Sequence, residues 1–318
     1  SEHSERSVPE KRNNRSYNGT WCEDQPGEIS LIYENRGIPF GGCSFVFGGI
    51  IVIKRKTPLQ KEKLLLEKQE KRYLEQRQKQ NDSKLNKFLE DKVPDKLQET
   101  LEKAFCSAFR LIFLKGISVI EKTYKKEELE KDFKVQDYAN QIKNDRKSLK
   151  SIRKNAGSTG RFNTLASGTA GLGMGLIGVG IPDIPVFTGF LLRSIYQIAL
   201  KYGFSYEEEK EKKWILLLIQ GAASYGEKQK AADKAVECYI QNELVDNSIP
   251  LDEIIQETAR ILSGELLYMK FLQGIPIVGV VGGAFDFKYM KEITTYAEIK
   301  YRKRYYRNLS EYDMIEKK

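Results

Sequence analysis

The chain has 318 residues, of which 53 are Lys or Arg and 44 Asp or Glu, for a formal net charge of +9. A mean hydropathy of −0.51 excludes a polytopic membrane protein, and the basic balance points to anionic partners such as phospholipid headgroups, nucleic acid or acidic proteins. The single histidine, His3, lies in a polar start, which excludes Ser–His–Asp and Cys–His pairs and histidine-based zinc centres.

Other catalytic parts are also missing. Cys22, Cys43, Cys106 and Cys238 have no CxxC spacing, so neither a metal site nor a disulfide framework is expected, and a reducing cytoplasm is. The sequence contains no Walker A loop or GxSxG elbow. Gly171–Leu176 reads GLGMGL, which has GxGxG rather than GxGxxG spacing and follows no strand. No catalytic residue, cofactor or metal is expected.

Taken in chain order, residues 1–57 alternate apolar and polar residues in GEISLIYE and are β-branched in SFVFGGIIVIKRK. They are predicted to form a β-hairpin arm. Residues 58–93 are strong helix formers with a thin apolar stripe, which predicts a long charged helix that packs along one seam. Residues 94–318 read as a helical domain. In its first helix Leu97, Leu101, Phe105, Ala108, Phe109, Ile112 and Phe113 recur at three- and four-residue steps and form a core face. Another helix is predicted over Leu191–Phe204 with Gly203 as its C-cap, and the next with Ser205 as N-cap. Trp214–Ile219 is apolar on all sides and is placed at the centre.

Two segments break the polar pattern. The first holds Gly171, Gly173, Gly175 and Gly178 before Pro182, Asp183 and Pro185; the second holds Gly279, Gly282 and Gly283 before Asp286. An interior glycine costs roughly 1 kcal/mol of helix stability relative to Ala, so this enrichment implies close backbone approach, either between the segments or to a ligand or lipid. Residues 165–181 are about 17 in number, short of the roughly 20 that span a bilayer, and a buried pair or an interfacial hairpin fits better. Asp183 is predicted to cap a helix starting near Pro185, with Arg193 a candidate partner.

Basic runs adjoin both segments. Residues 143–161 hold seven bases against one acid, and residues 288–307 seven against two. Lys147, Lys150, Arg153, Lys154 and Arg161 from the first run, with Lys300, Arg302, Lys303, Arg304 and Arg307 from the second, are predicted to form a basic surface. Basic residues beside an apolar element favour an anionic leaflet.

The residues AFRLIFLKGISVIEKTYKKEELE, then SGTAGLGMGLIGVGIPDIPVFTGFLLRSIYQIALKYGF and WILLLIQGA, then ELLYMKFLQGIPIVGVVGGAFDFKYM and YAEIKYRKRY together resemble the EcsC family from about residue 94 to 307. The resemblance implies a largely helical bacterial protein, linked by gene context to an ABC transporter and so to transport or secretion. The family has no established catalytic residues, and none is carried over. Its recurrent features fall on the glycine-rich run, on Pro182-Asp183-Ile184-Pro185 and on Gly279 to Asp286. Many members carry Asn where Asp286 stands, which implies no charge-dependent role there.

The expected fold is mainly α, a multi-helix bundle with the two glycine-rich segments packed together and a small N-terminal β-hairpin. The expected function is non-enzymatic. A peripheral protein at the inner face of the cell membrane would bind an anionic surface, a lipid or a membrane protein partner. One alternative is an enzyme or ligand-binding protein with a pocket between the glycine-rich segments. Another is nucleic-acid binding through KYRKRYYR, residues 300–307.

Overall fold

The computed structural model describes residues 56–79, 95–157, 183–242, 248–272 and 284–315, all within one compact unit, Ile50–Lys318. These residues form ten α-helices, and no strand occurs among them. The β-hairpin expected in residues 1–57 and both glycine-rich runs lie outside the described residues.

Helix α1, Pro58–Gln78, starts on a reciprocal cap. Thr57 Oγ1 accepts from the Gln60 amide at 3.2 Å and Gln60 Oε1 accepts from the Thr57 amide at 3.0 Å, with Pro58 in the first turn. Its inward residues are Glu62, Leu66, Glu70 and Arg77, so charge as well as leucine docks this helix. Helix α2, Asp95–Leu111, runs through a π-turn at Ile112–Gly116 into α3, Ile117–Glu121. Leu101, Phe105, Ala108, Phe109, Ile112 and Phe113 are buried, and the wider turn keeps Ile120 on the same inward side.

Helices α4, Lys126–Lys143, and α5, Arg146–Gly157, are separated by only Asn144 and Asp145. Asn144 takes the left-handed conformation, φ 41°, and its amide donates to the Asn140 carbonyl at 2.8 Å. The Asp145 carboxylate accepts from the Ser148 amide at 2.7 Å, which opens α5.

Helix α6, Asp183–Lys201, begins two residues before the start expected at Pro185. It ends as predicted at Gly203. The Gly203 amide donates to the Leu200 carbonyl at 3.0 Å, and the Phe204 amide to the Ala199 carbonyl at 2.9 Å. This is a Schellman closure, and it requires the φ of +80° at Gly203. A Cβ there would also overlap the Phe133 ring of α4. Gly203→Ala is therefore expected to lose roughly 1–2 kcal/mol from the left-handed backbone and about 1–3 kcal/mol from overpacking, read as a fall in thermal midpoint.

Helix α7, Glu209–Ala223, starts three residues later than a Ser205 cap predicts. Ser205 Oγ instead accepts from the Glu207 amide at 3.3 Å in the preceding turn. Trp214–Ile219 is central as expected, with no residue more than 4% exposed. The reason is its neighbours: α7 packs against α8, Gly226–Asn242, α9, Leu251–Leu272, and α10, Ala284–Ile315. Helix α6 forms a second centre against α2, α4, α5 and α10, and α10 joins the two. Helix α1 lies on α10, α5 and α8.

Candidate functional site

Helix α10 is the longest helix, 32 residues or about 48 Å at 1.5 Å per residue. The expectation of a basic surface along it is corrected by burial. Lys300 is 0% and Arg302 2% exposed, and Lys303, Arg304 and Arg307 are only partly exposed. The cause is acid supplied from other helices, which a one-dimensional charge run does not reveal.

Lys300 Nζ lies 2.5 Å from Glu70 of α1 and 2.7 and 2.5 Å from Asp233 and Glu237 of α8. Lys303 Nζ bridges Glu70 and Glu237 at 2.9 and 2.8 Å. The Tyr296 hydroxyl donates to Asp233 at 2.5 Å. Carboxylate oxygens of Glu70, Asp233 and Glu237 lie within 4.8 Å of one another, a spacing that suits a metal ion. The ammonium of Lys300 already serves as the cation among them. Burial alone pushes the Glu70 carboxyl up, but Lys300 and Lys303 outweigh it and hold it below the usual carboxylate value. Burial likewise opposes the charge on Lys300, and the three carboxylates overcome it and raise its pKa.

A second cage surrounds Arg304. Its Nη1 lies 2.8 Å from Glu211 of α7, and its guanidinium sits 4.1, 5.3 and 4.9 Å from the ring centroids of Phe204, Trp214 and Tyr239. Tyr239 and Tyr301 donate to the same carboxylate at 3.0 and 2.9 Å. Arg302 donates to Gln69 at 2.6 Å and lies 3.6 Å from Glu298. Arg307 donates to the Ile240 carbonyl and, at 2.8 Å, to Glu311. Tyr301, Tyr305 and Tyr306 are buried as well, so the aromatic residues of the alternation at 300–307 face the interior and do not stand free for stacking.

The first basic run differs. Arg146 and Arg153 of α5 reach Glu62 at 2.8 and 3.5 Å. Lys147, Lys150 and Lys154 stand exposed at i, i+3 and i+7, one side of a helix. None of the three has an ion-pair partner among the described residues, and α5 contains no acid.

Gly171, Gly173, Gly175, Gly178, Pro182, Gly279, Gly282, Gly283 and Arg161 lie outside the described residues, as do the side chains of Asp183 and Asp286. Pro185 is exposed in the first turn of α6. Arg193 is half-buried and its Nη2 donates to the Thr123 carbonyl at 2.9 Å. Burial lowers its pKa. Cys106 is free and buried. Cys238 is disulfide-bonded, whereas no disulfide framework is expected from the cysteine spacing.

Glu62, Glu70 and Glu211 were missed as interior partners by sequence reasoning. Their signal is periodic: Glu62, Leu66 and Glu70 follow one another at four-residue steps on one face of α1. Among the described residues no helix is long and apolar enough to cross a membrane. No curated protein and no solved structure shows a significant match to the chain. The model of the EcsC protein family matches residues 59–306, starting in α1, well before the resemblance noted from residue 94. From α1 to the later turns of α10, the chain belongs to the EcsC protein family.

Proposed function

We propose that this protein associates peripherally with an anionic membrane surface through the outward side of α5. The observation that carries this reading is the contrast between its two basic runs. Lys300, Arg302, Lys303, Arg304 and Arg307 of α10 are each engaged by a neighbouring group, whereas Lys147, Lys150 and Lys154 are exposed and unpaired among the described residues. A charge left unneutralised on one helix side attracts a surface of opposite sign. The family membership is consistent with a non-enzymatic role of this kind. The glycine-rich segments remain the proposed lipid-facing or partner-facing elements.

The test is flotation of the full chain with vesicles of phosphatidylglycerol and phosphatidylcholine. Each lysine near an anionic leaflet adds about 1 kcal/mol. K147Q/K150Q/K154Q is therefore expected to weaken binding by about 3 kcal/mol, roughly a hundredfold. Binding should also fall as salt screens the charges. Equal binding to pure phosphatidylcholine, or an unchanged triple variant, overturns the reading.

A further inference from the structure

We propose that the exposed apolar stripe of α4 is the part of the protein that seats in the headgroup layer of an anionic bilayer. The inference rests on the membrane reading above and deepens it by naming the element that enters the lipid. Val135, Tyr138 and Ile142 are 68%, 65% and 65% exposed. They stand at i, i+3 and i+7, which places them within about 60° of one another around the helix. Three such side chains in register differ from the scattered apolar residues found on any surface.

The helix is held from its other side. The Phe133 ring meets Tyr305 edge-on at 5.8 Å, and Asp137 accepts from the Tyr305 hydroxyl at 2.6 Å. The stripe is thus fixed facing away from α10. At 18 residues and with charges at both ends, α4 suits a helix lying in the interface and not one crossing it. Tyrosine is a side chain suited to that layer, with an apolar ring and a polar tip.

Charge selects the occupant. The acids of α4 crowd its first two turns: Glu127, Glu128, Glu130 and Asp132. From Lys134 to Gly157 the only acids are Asp137, engaged by Tyr305 and Gln141, and Asp145, engaged by Ser148. The same stretch carries Lys134, Lys143 and the lysines of α5. The stripe therefore ends beside Lys143 and, two residues beyond α4, the basic helix begins. A specific protein partner buries about 800 Å² on each side, more than three side chains provide. A bilayer sets no such threshold, because the lysines supply the remaining attraction.

Two measurements on the full chain decide the matter. V135Q/Y138Q/I142Q changes only exposed positions and should keep the wild-type melting curve. It is expected to weaken flotation with phosphatidylglycerol vesicles at least tenfold. In a separate variant, Tyr138→Trp, the added emission is expected to shift to the blue on those vesicles and to be quenched by brominated lipid. If K147Q/K150Q/K154Q loses binding while V135Q/Y138Q/I142Q keeps it, this inference fails and the membrane reading stands. If the wild-type chain does not float, both fail. If the stripe variant converts a dimer to a monomer in sedimentation, the stripe is a self-interface and the inference is overturned.

Discussion

Lys300→Met is expected to destabilise the protein by about 3–5 kcal/mol, the loss typical when one partner of a buried ion pair is removed. The ammonium lies among Glu70, Asp233 and Glu237 at 2.5–2.7 Å and is 0% exposed. Without it three carboxylates face one another, with Lys303 the remaining cation that bridges two of them. Thermal unfolding should fall by on the order of 10 °C. The double variant Glu70→Gln/Lys300→Met should lose less than the sum of the two single changes, because both act on one network. Strict additivity would show that Glu70 and Lys300 do not share a cage.

The same network predicts a pH dependence. Glu70 has its carboxyl held below the ordinary value by Lys300 and Lys303, against the opposing effect of burial. Its contribution is present above the unfolded carboxylate value, about 4.3, and is lost as pH falls through the folded value. Lys300, raised by its carboxylates, acts at the other end. Its contribution is present below the ordinary lysine value, about 10.4, and disappears as pH rises through the folded one. Stability measured against pH should therefore decline at both extremes in the wild-type chain. The alkaline limb should flatten in Lys300→Met.

Glu211→Gln is expected to cause a loss of similar size, about 3–5 kcal/mol. One carboxylate, 3% exposed, accepts from Arg304, Tyr239 and Tyr301. An amide offers one oxygen where the carboxylate has two, and it turns a donor towards the guanidinium. The aromatic box of Phe204, Trp214 and Tyr239 would then surround a cation with no counter-charge. Chemical denaturation should show a lower midpoint at unchanged slope. An unchanged midpoint would mean that the rings alone stabilise Arg304.

Much of this architecture was legible in the residues. Trp214–Ile219 is apolar in every direction, and a helix with no polar side can only be surrounded. Gly203 marks a chain reversal because its backbone takes a left-handed conformation that other residues avoid. The joint pattern of the two apolar segments and the helices after them carried the family. The Ser205 cap was misplaced because local side-chain to backbone bonding competes at turns, and Ser205 closes its own turn at Glu207.

What the residues by themselves determined is the mainly helical class, the central apolar helix and the sign of the net charge, since these follow from periodicity and composition. Only the tertiary structure decided which charges face outward. Lys300 and Lys147 are both lysines in basic runs, and neither sequence neighbourhood tells them apart. One meets Glu70, 230 residues away in the chain, and the other meets no carboxylate among the described residues. Burying an ammonium is favourable only where carboxylates converge on it, and that convergence is set by how α1, α8 and α10 pack together.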